Sequence, residues 1–263
     1  MEPDSHQPDS QQDFLKLLDG VTAYVRHLRE DGIDAIEAVV SAAPPAGAEP
    51  NAAPPAVESP EPEPGPARLP PGEVQERLAE IAQRVEACTK CPLARSRVRP
   101  VPGQGHPAPE IMFVGEGPGF EEDRQGLAFV GRAGQLLTKI IEAMGLTRDQ
   151  VFIGNIVKCR PPENRTPLPD EMAACLPYLK EQIALLQPKV IVALGATAVK
   201  GLLEVETGIT RLRGRWLRYE DIDLMPTYHP AYLLRNPAGK KDVWDDMKAV
   251  LAKLGRQPPQ RGK

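Results

Sequence analysis

No stretch of the 263-residue sequence approaches the ~18 consecutive apolar residues that a membrane-spanning helix needs, so a chain built on such helices is excluded. The opening residues, MEPDSHQPDSQQD, are acidic and polar and lack the basic and apolar regions of a secretory signal. A cytoplasmic location, in the cytosol or nucleoid, is expected. Cysteine is scarce: Cys88, Cys91, Cys159 and Cys175 are the only four. In a reducing compartment they point to metal binding, catalysis or buried thiols before disulfides. No Gly-Lys-Ser/Thr follows a glycine-rich turn and no Gly-x-Gly-x-x-Gly is present, which removes the Walker A and dinucleotide-binding readings. The ferredoxin run Cys-x-x-Cys-x-x-Cys is also missing, which takes support from an electron carrier.

Proline, by contrast, is abundant. Eleven of the 30 prolines fall within residues 43–71, a stretch with almost no large apolar side chains. Such a segment cannot bury enough surface to offset its ordering entropy. Residues 43–72 are therefore expected to be a disordered, extended Pro/Ala-rich linker. Charge divides along the same line. Residues 1–75 carry 4 Lys+Arg against 14 Asp+Glu, and residues 76–263 carry 28 against 22. The net −4 of the whole chain hides a C-terminal part of +6, compatible with a polyanionic partner and equally with an ordinary solvated surface.

Before the linker, residues 1–42 hold an amphipathic segment in which Phe14, Leu17, Leu18, Val21, Tyr24, Val25 and Leu28 recur at helical steps, with Ser10 as N-cap. Periodicity reports an apolar face and not what covers it. The helix either folds back on the main domain or docks on a protein partner or second copy. Residues 73–255 form the main domain, and 256–263 a flexible tail. Helices are expected over 74–88, 133–144, 169–186, 196–203 and 241–254. Strands are expected over 111–115, 151–159 and 190–194, with one or two more in 216–226. Apolar strands alternating with helices predict a three-layer α/β/α fold around a central, mostly parallel sheet. In such sheets ligands sit on the loops at the C-terminal strand ends.

The chemistry-bearing residues cluster on those loops. Cys88-Thr-Lys-Cys91 has a spacing that lets two thiolates grip one metal centre, and Cys159 and Cys175 supply two more. Four thiolates suit tetrahedral zinc or a [4Fe–4S] cluster, and spacing alone does not choose. Cys159 and Cys175 are otherwise small buried hydrophobes. Gly115-Glu116-Gly117-Pro118-Gly119 follows a strand and lets the backbone approach a ligand, with Glu116 the unusual member. Phe129, in Gly126-Leu-Ala-Phe-Val-Gly131, reads either as a minor core residue or as a stacking platform for a planar base. Asn155 interrupts an apolar strand, and a buried amide needs partners such as a nucleobase edge. Asn164 and Arg165 lie on a proline-rich loop. Finally, His229-Pro-Ala-Tyr-Leu233-Leu234-Arg235 sets one of only four histidines beside apolar and basic residues suited to entering a duplex.

Taken together, GEGPG, GLAFVGRAG, GNIVKCRPPENRTP, HPAYLLR and the four cysteines in this order resemble the family 4, iron–sulfur, thermophile-type uracil-DNA glycosylases over residues 85–254. The resemblance implies a hydrolase that flips uracil out of single- or double-stranded DNA and cuts its N-glycosidic bond to begin base-excision repair. It implies a structural [4Fe–4S] cluster on Cys88, Cys91, Cys159 and Cys175. Phe129 would stack on uracil, Asn155 would pair with its N3–H and O4, and Glu116 and Gly117 would line the pocket. His229 would donate to O2 as the leaving uracil gains negative charge, and Leu233, Leu234 and Arg235 would fill the gap in the duplex. A monomer in a bacterial or archaeal cytoplasm is expected. Relatives in other branches carry Asp or Asn where this sequence has Gly117, so the group that positions the attacking water is open; Glu122 and Asn164 are the candidates. The His-containing insertion of the covalent-trapping branch is absent, since residues 121–132 hold no histidine. Two rivals are a non-catalytic metal-cluster protein that binds nucleic acid and a zinc-stabilised hydrolase acting on nucleotides.

Overall fold

The computed structural model describes residues 68–259. The helix and linker expected before residue 68, and the last four residues, lie outside the described residues. The first described helix, α1, runs Pro71–Glu86 and starts two residues inside the stretch assigned to the linker. Proline at the first helical positions costs nothing there, because those N–H groups have no intrahelical acceptor.

Six strands follow: β1 (Gln104–Gly105), β2 (Ile111–Gly115), β3 (Phe152–Asn155), β4 (Val190–Leu194), β5 (Leu217–Tyr219) and β6 (Ile222–Thr227). They form one sheet in the order β1-β3-β2-β4-β6-β5. The inner strands β3, β2, β4 and β6 are parallel, and the short edge strands are antiparallel. Both β2 and β4 are buried at every position, as strands covered on two faces must be. Alternation sends Met112, Val114, Ile191 and Ala193 to one face. There they meet α1, α5 (Pro169–Leu186) and α6 (Ala196–Leu203) through Ile81, Val85, Leu179, Ile183 and Val199. Ile111, Phe113, Val190 and Val192 go to the other face. That face is covered by α4 (Arg132–Ala143), α8 (Pro230–Arg235) and α9 (Gly239–Lys253) through Leu137, Ile141, Leu233, Met247 and Leu251. The architecture is the expected three-layer α/β/α sandwich. The remaining helices are one to two turns each: α2 (Leu93–Ser96), α3 (Phe120–Gln125) and α7 (Ile209–Leu212). Among the described residues no helix is long and apolar enough to cross a membrane.

One expected strand is corrected. Residues 151–159 are not a single strand, because β3 ends at Asn155. Beyond it the Ile156 and Val157 N–H groups donate to the Gly115 and Glu116 carbonyls at 3.0 and 3.1 Å, so the chain follows the turn after β2 and leaves the sheet. Asn155 thus closes its strand rather than interrupting it, opposite Gly115. The chain runs from β2 outward to β3, then crosses to β4 on the other flank of β2. The loops after β2 and β4 therefore part, and a crevice opens at the C-terminal strand ends.

Candidate active site

That crevice is a cavity lined by Glu116, Gly117, Glu122, Phe129, Asn155, Asn164 and His229, with Thr197 and Arg235 at its wall. Residues foreseen on five separate segments share one site. The loops after β2 and β4 are tied across it by the Thr197 hydroxyl, which donates to Glu116 Oε2.

Gly115 governs the packing at its floor. A Cβ built there would lie 2.5 Å from both Asn155 Oδ1 and Phe129 Cζ. No real side chain tolerates such a contact, so the missing Cβ lets the amide and the ring approach each other. Phe129 has φ +52°, a left-handed conformation that an aromatic residue adopts only when its surroundings over-determine it. The surroundings do so. Glu122 Oε1 accepts from the Val130 and Gly131 N–H groups at 2.9 and 2.8 Å. The Arg148 guanidinium donates to the Ala128 and Phe129 carbonyls at 2.6 and 3.1 Å. Gln104 Oε1 accepts from Ala128 N–H at 3.1 Å. Gly134, in the first turn of α4, sits so close that a Cβ would fall 1.9 Å from the Phe129 carbonyl carbon. Phe129 packs in the core, 6% exposed, and also borders the cavity.

His229 is the N-cap of α8. Its Nδ1 accepts from Ala231 N–H at 3.1 Å, which places the single proton of the neutral ring on Nε2. Burial pushes the imidazole down to about 4, with Glu122 pulling the other way and Arg235 reinforcing the shift. The ring is neutral at pH 7 and keeps an N–H donor. Its centroid lies 5.7 Å from that of Phe129. Asn155 completes the set. It is 1% exposed, and its Oδ1 is the buried side-chain polar atom without a partner among the described residues. An unpaired acceptor of this kind costs about 1–3 kcal/mol, so Oδ1 is open to a donor from a molecule in the cavity.

The other expected residues divide. Glu122 commits Oε1 to the Phe129 loop and keeps Oε2. Asn164 is also left-handed, at φ +55°, and its Oδ1 accepts from Arg160 Nε at 2.7 Å. Leu233 requires a correction: it is 0% exposed and packs in the core under α8, so in this conformation it is withheld from DNA. The resemblance implies that Leu233, Leu234 and Arg235 fill the gap in the duplex together. As a helix, that segment turns Leu233 inward and leaves Tyr232, Leu234 and Arg235 outside. Thr197, Arg148 and Gly134 were not singled out from the sequence. Thr197 and Arg148 sit in no motif and act through contacts between distant segments, and Gly134 closes the GLAFVGRAG motif, whose sequence does not say that its last glycine packs on Phe129.

The cysteines form a second locality. All four line one small cavity, with Arg97, Lys90 and Lys158 around it. None of them forms a disulfide. Arg97 Nη1 donates to Cys159 Sγ at 3.0 Å and Lys158 N–H to Cys175 Sγ at 3.1 Å. Burial pushes the Cys159 thiol up and that of Cys175 up to about 11. Bare thiolates are therefore disfavoured until a cationic centre compensates them.

Comparison with known proteins agrees with this geometry. The family model described as the uracil DNA glycosylase superfamily matches residues 102–248. A type-4 uracil-DNA glycosylase of Sulfurisphaera tokodaii is 48% identical over 184 residues, covering 66% of this chain and 84% of the relative. That of Thermotoga maritima is 50% identical over 167 residues, covering 62% and 86%. That of Saccharolobus solfataricus is 43% identical over 193 residues, covering 70% and 89%. The switch-point cavity and these matches together establish that the chain belongs to the uracil-DNA glycosylase superfamily, in its type-4 branch.

Proposed function

We propose that the chain hydrolyses the N-glycosidic bond of uracil flipped from single- or double-stranded DNA, initiating base-excision repair, with Phe129, Asn155 and His229 as the residues in contact with the base. The observation that carries this reading is the orphan Asn155 Oδ1 beside the Phe129 ring. Uracil offers the donor it lacks at N3–H and, next to it, an O4 acceptor for the amide nitrogen. Cytosine presents a lone pair at N3, which leaves Oδ1 unpaired against a second acceptor. In a buried site a mismatch of that type discriminates by about 10⁴. Phe129 offers its ring to the base, and Glu116, held by Thr197, lines the wall near Gly117.

The bond from uracil N1 to C1′ breaks with both electrons passing to the base, where the charge spreads onto O2. The His229 Nε2–H donates to that oxygen. Because the ring is neutral it polarises without surrendering its proton, and the interaction strengthens as charge develops. Water adds to the oxocarbenium-like C1′, and its proton passes through Glu122 Oε2 to solvent or to the departing uracil anion. Glu122 Oε2 and the amide nitrogen of Asn164, both in the cavity lining, are the candidates to hold that water.

Cys88, Cys91, Cys159 and Cys175 fit a [4Fe–4S] cluster. They share one cavity, and two of the four sulfurs already accept N–H donors, a donor set that such a cluster takes. When bound, the cluster would cross-link the turn after α1, the loop after β3, and α5. It takes no part in bond breaking.

The test is single-turnover treatment of an oligonucleotide bearing one deoxyuridine, followed by alkali, with thymidine and deoxycytidine controls. Strand breakage at uracil alone is expected. Equal breakage at cytosine would sink the role given to Asn155, and no breakage by cluster-loaded protein would sink the glycosylase reading.

A further inference from the structure

At the rim of the same cavity stands an aromatic side chain that uracil recognition does not use. Phe120, the first residue of α3, lines the cavity mouth and is 51% exposed, the second most exposed of the large apolar side chains described. Two guanidiniums attend its ring: Arg124, one turn along α3, at 5.6 Å from the centroid, and Arg160, from the loop after β3, at 5.1 Å. Neither arginine has a carboxylate within salt-bridge distance among the described residues. Nearby Arg165, in contrast, is paired with Glu171 at 2.6 Å. The ring draws both guanidiniums by cation–π attraction, yet half of it stays in water and no carboxylate among the described residues neutralises the pair. A ligand with a flat apolar face and a negative charge resolves both costs.

We propose that Phe120, Arg124 and Arg160 form a subsite for the nucleotide next to the flipped uracil, with its unpaired base stacked on Phe120 and its phosphate held by the two arginines. The inference rests on the uracil-excision reading, which sets a DNA strand at this mouth. Its chemistry is that of single-strand binding surfaces, where aromatic stacking contributes about 1–3 kcal/mol per base and cations track the backbone. Flanking bases are available to stack in single strands and are held by their partners in a duplex. The subsite therefore favours single-stranded over fully paired substrate.

The test uses the full-length, cluster-loaded protein and anisotropy binding to a single-stranded oligonucleotide containing one deoxyuridine. A second oligonucleotide carries abasic spacers on both sides of the deoxyuridine. Phe120→Ala is expected to weaken binding to the first about tenfold and to leave binding to the second unchanged, and Phe120→Trp is expected to restore the first. Arg124→Gln should lower the slope of log affinity against log salt by about 0.7. Equal binding of wild type and Phe120→Ala to the normally flanked strand overturns the subsite, and so does a loss that persists with the spacers. Uracil release by the wild type from the same strand separates the two readings. Its absence removes the glycosylase, whereas its presence with an indifferent Phe120→Ala removes the subsite alone.

Discussion

Asn155 and Cys159 stand four residues apart and serve cavities of opposite character. Around the cysteines, N–H donors already point at two sulfurs, cations surround the thiols, and burial resists charge until a cluster supplies its own. Around Asn155 an acceptor is left bare and a neutral imidazole holds a free N–H toward open space. The first locality is furnished for a permanent resident, and the second is left unfinished for a transient one. Lys158 lies between them, buried, its Nζ donating to the Asn155 carbonyl at 3.1 Å and to Gln182 at 2.7 Å, so the two share one rigid segment.

The contrast can be broken most sharply at His229. His229→Ala is expected to lower the single-turnover excision rate by about 10²–10³, the value of a lost oxyanion donor, while DNA affinity stays within a fewfold. Equal losses in rate and affinity would assign it to binding instead. Asn155→Leu tests the unfinished character directly. It should reduce excision about a hundredfold or more yet raise the melting temperature, because an unpaired buried acceptor worth about 1–3 kcal/mol disappears. A lower melting temperature would show that the free amide is satisfied after all. Cys175→Ala is the opposite case: iron content and visible absorbance should fall together with thermal stability. Full iron retention would show that Cys175 is not a ligand.

Arg148→Gln carries a smaller effect. It removes the donors to the Ala128 and Phe129 carbonyls, and about a tenfold loss of excision is expected from loosening a left-handed Phe129 whose strain is about 1–3 kcal/mol, with iron content unchanged. Normal activity in that variant would mean Glu122 and Gly134 suffice. The subtlest test is pH. The imidazole of His229 titrates near 4 rather than 6.5, so nitrogen NMR of labelled histidine should find a neutral Nε2–H ring down to about pH 5. Its contribution to stability is complete above the unfolded value near 6.5 and is lost as pH falls through that value toward 4, because only the unfolded ring then takes up the proton readily. A titration at 6.5 would remove the fixed-tautomer argument.

Much of this was legible beforehand for a local reason. Ile111–Gly115, Val190–Leu194 and the helix Pro169–Leu186 have the bounds the sequence predicts, because continuous apolar runs and a helix-starting proline are signals within a few residues. The extended strand to Cys159 failed because its apolar continuation, Ile156 and Val157, is core packing off the sheet. The helix Pro230–Arg235, which turns Leu233 into the core, was not legible because six residues are too few for periodicity to announce. Glycine-rich motifs marked Gly115 without saying what came near it.

The sequence by itself determined the layer architecture and the chemistry on offer: four thiols, an amide, an imidazole and an aromatic at strand ends. Only the tertiary structure decided that Gly115 brings Asn155 and Phe129 into contact, that Arg148 and Glu122 grip the Phe129 loop, and that Nδ1 of His229 is already engaged. The Asn155–Phe129 approach and the Arg148 grip join segments about 20 residues or more apart, whereas the Glu122 and His229 bonds are closer in sequence and depend on the turn that each one closes. Strand pairing and the crossover at β2 fix such distances, and no local pattern encodes them.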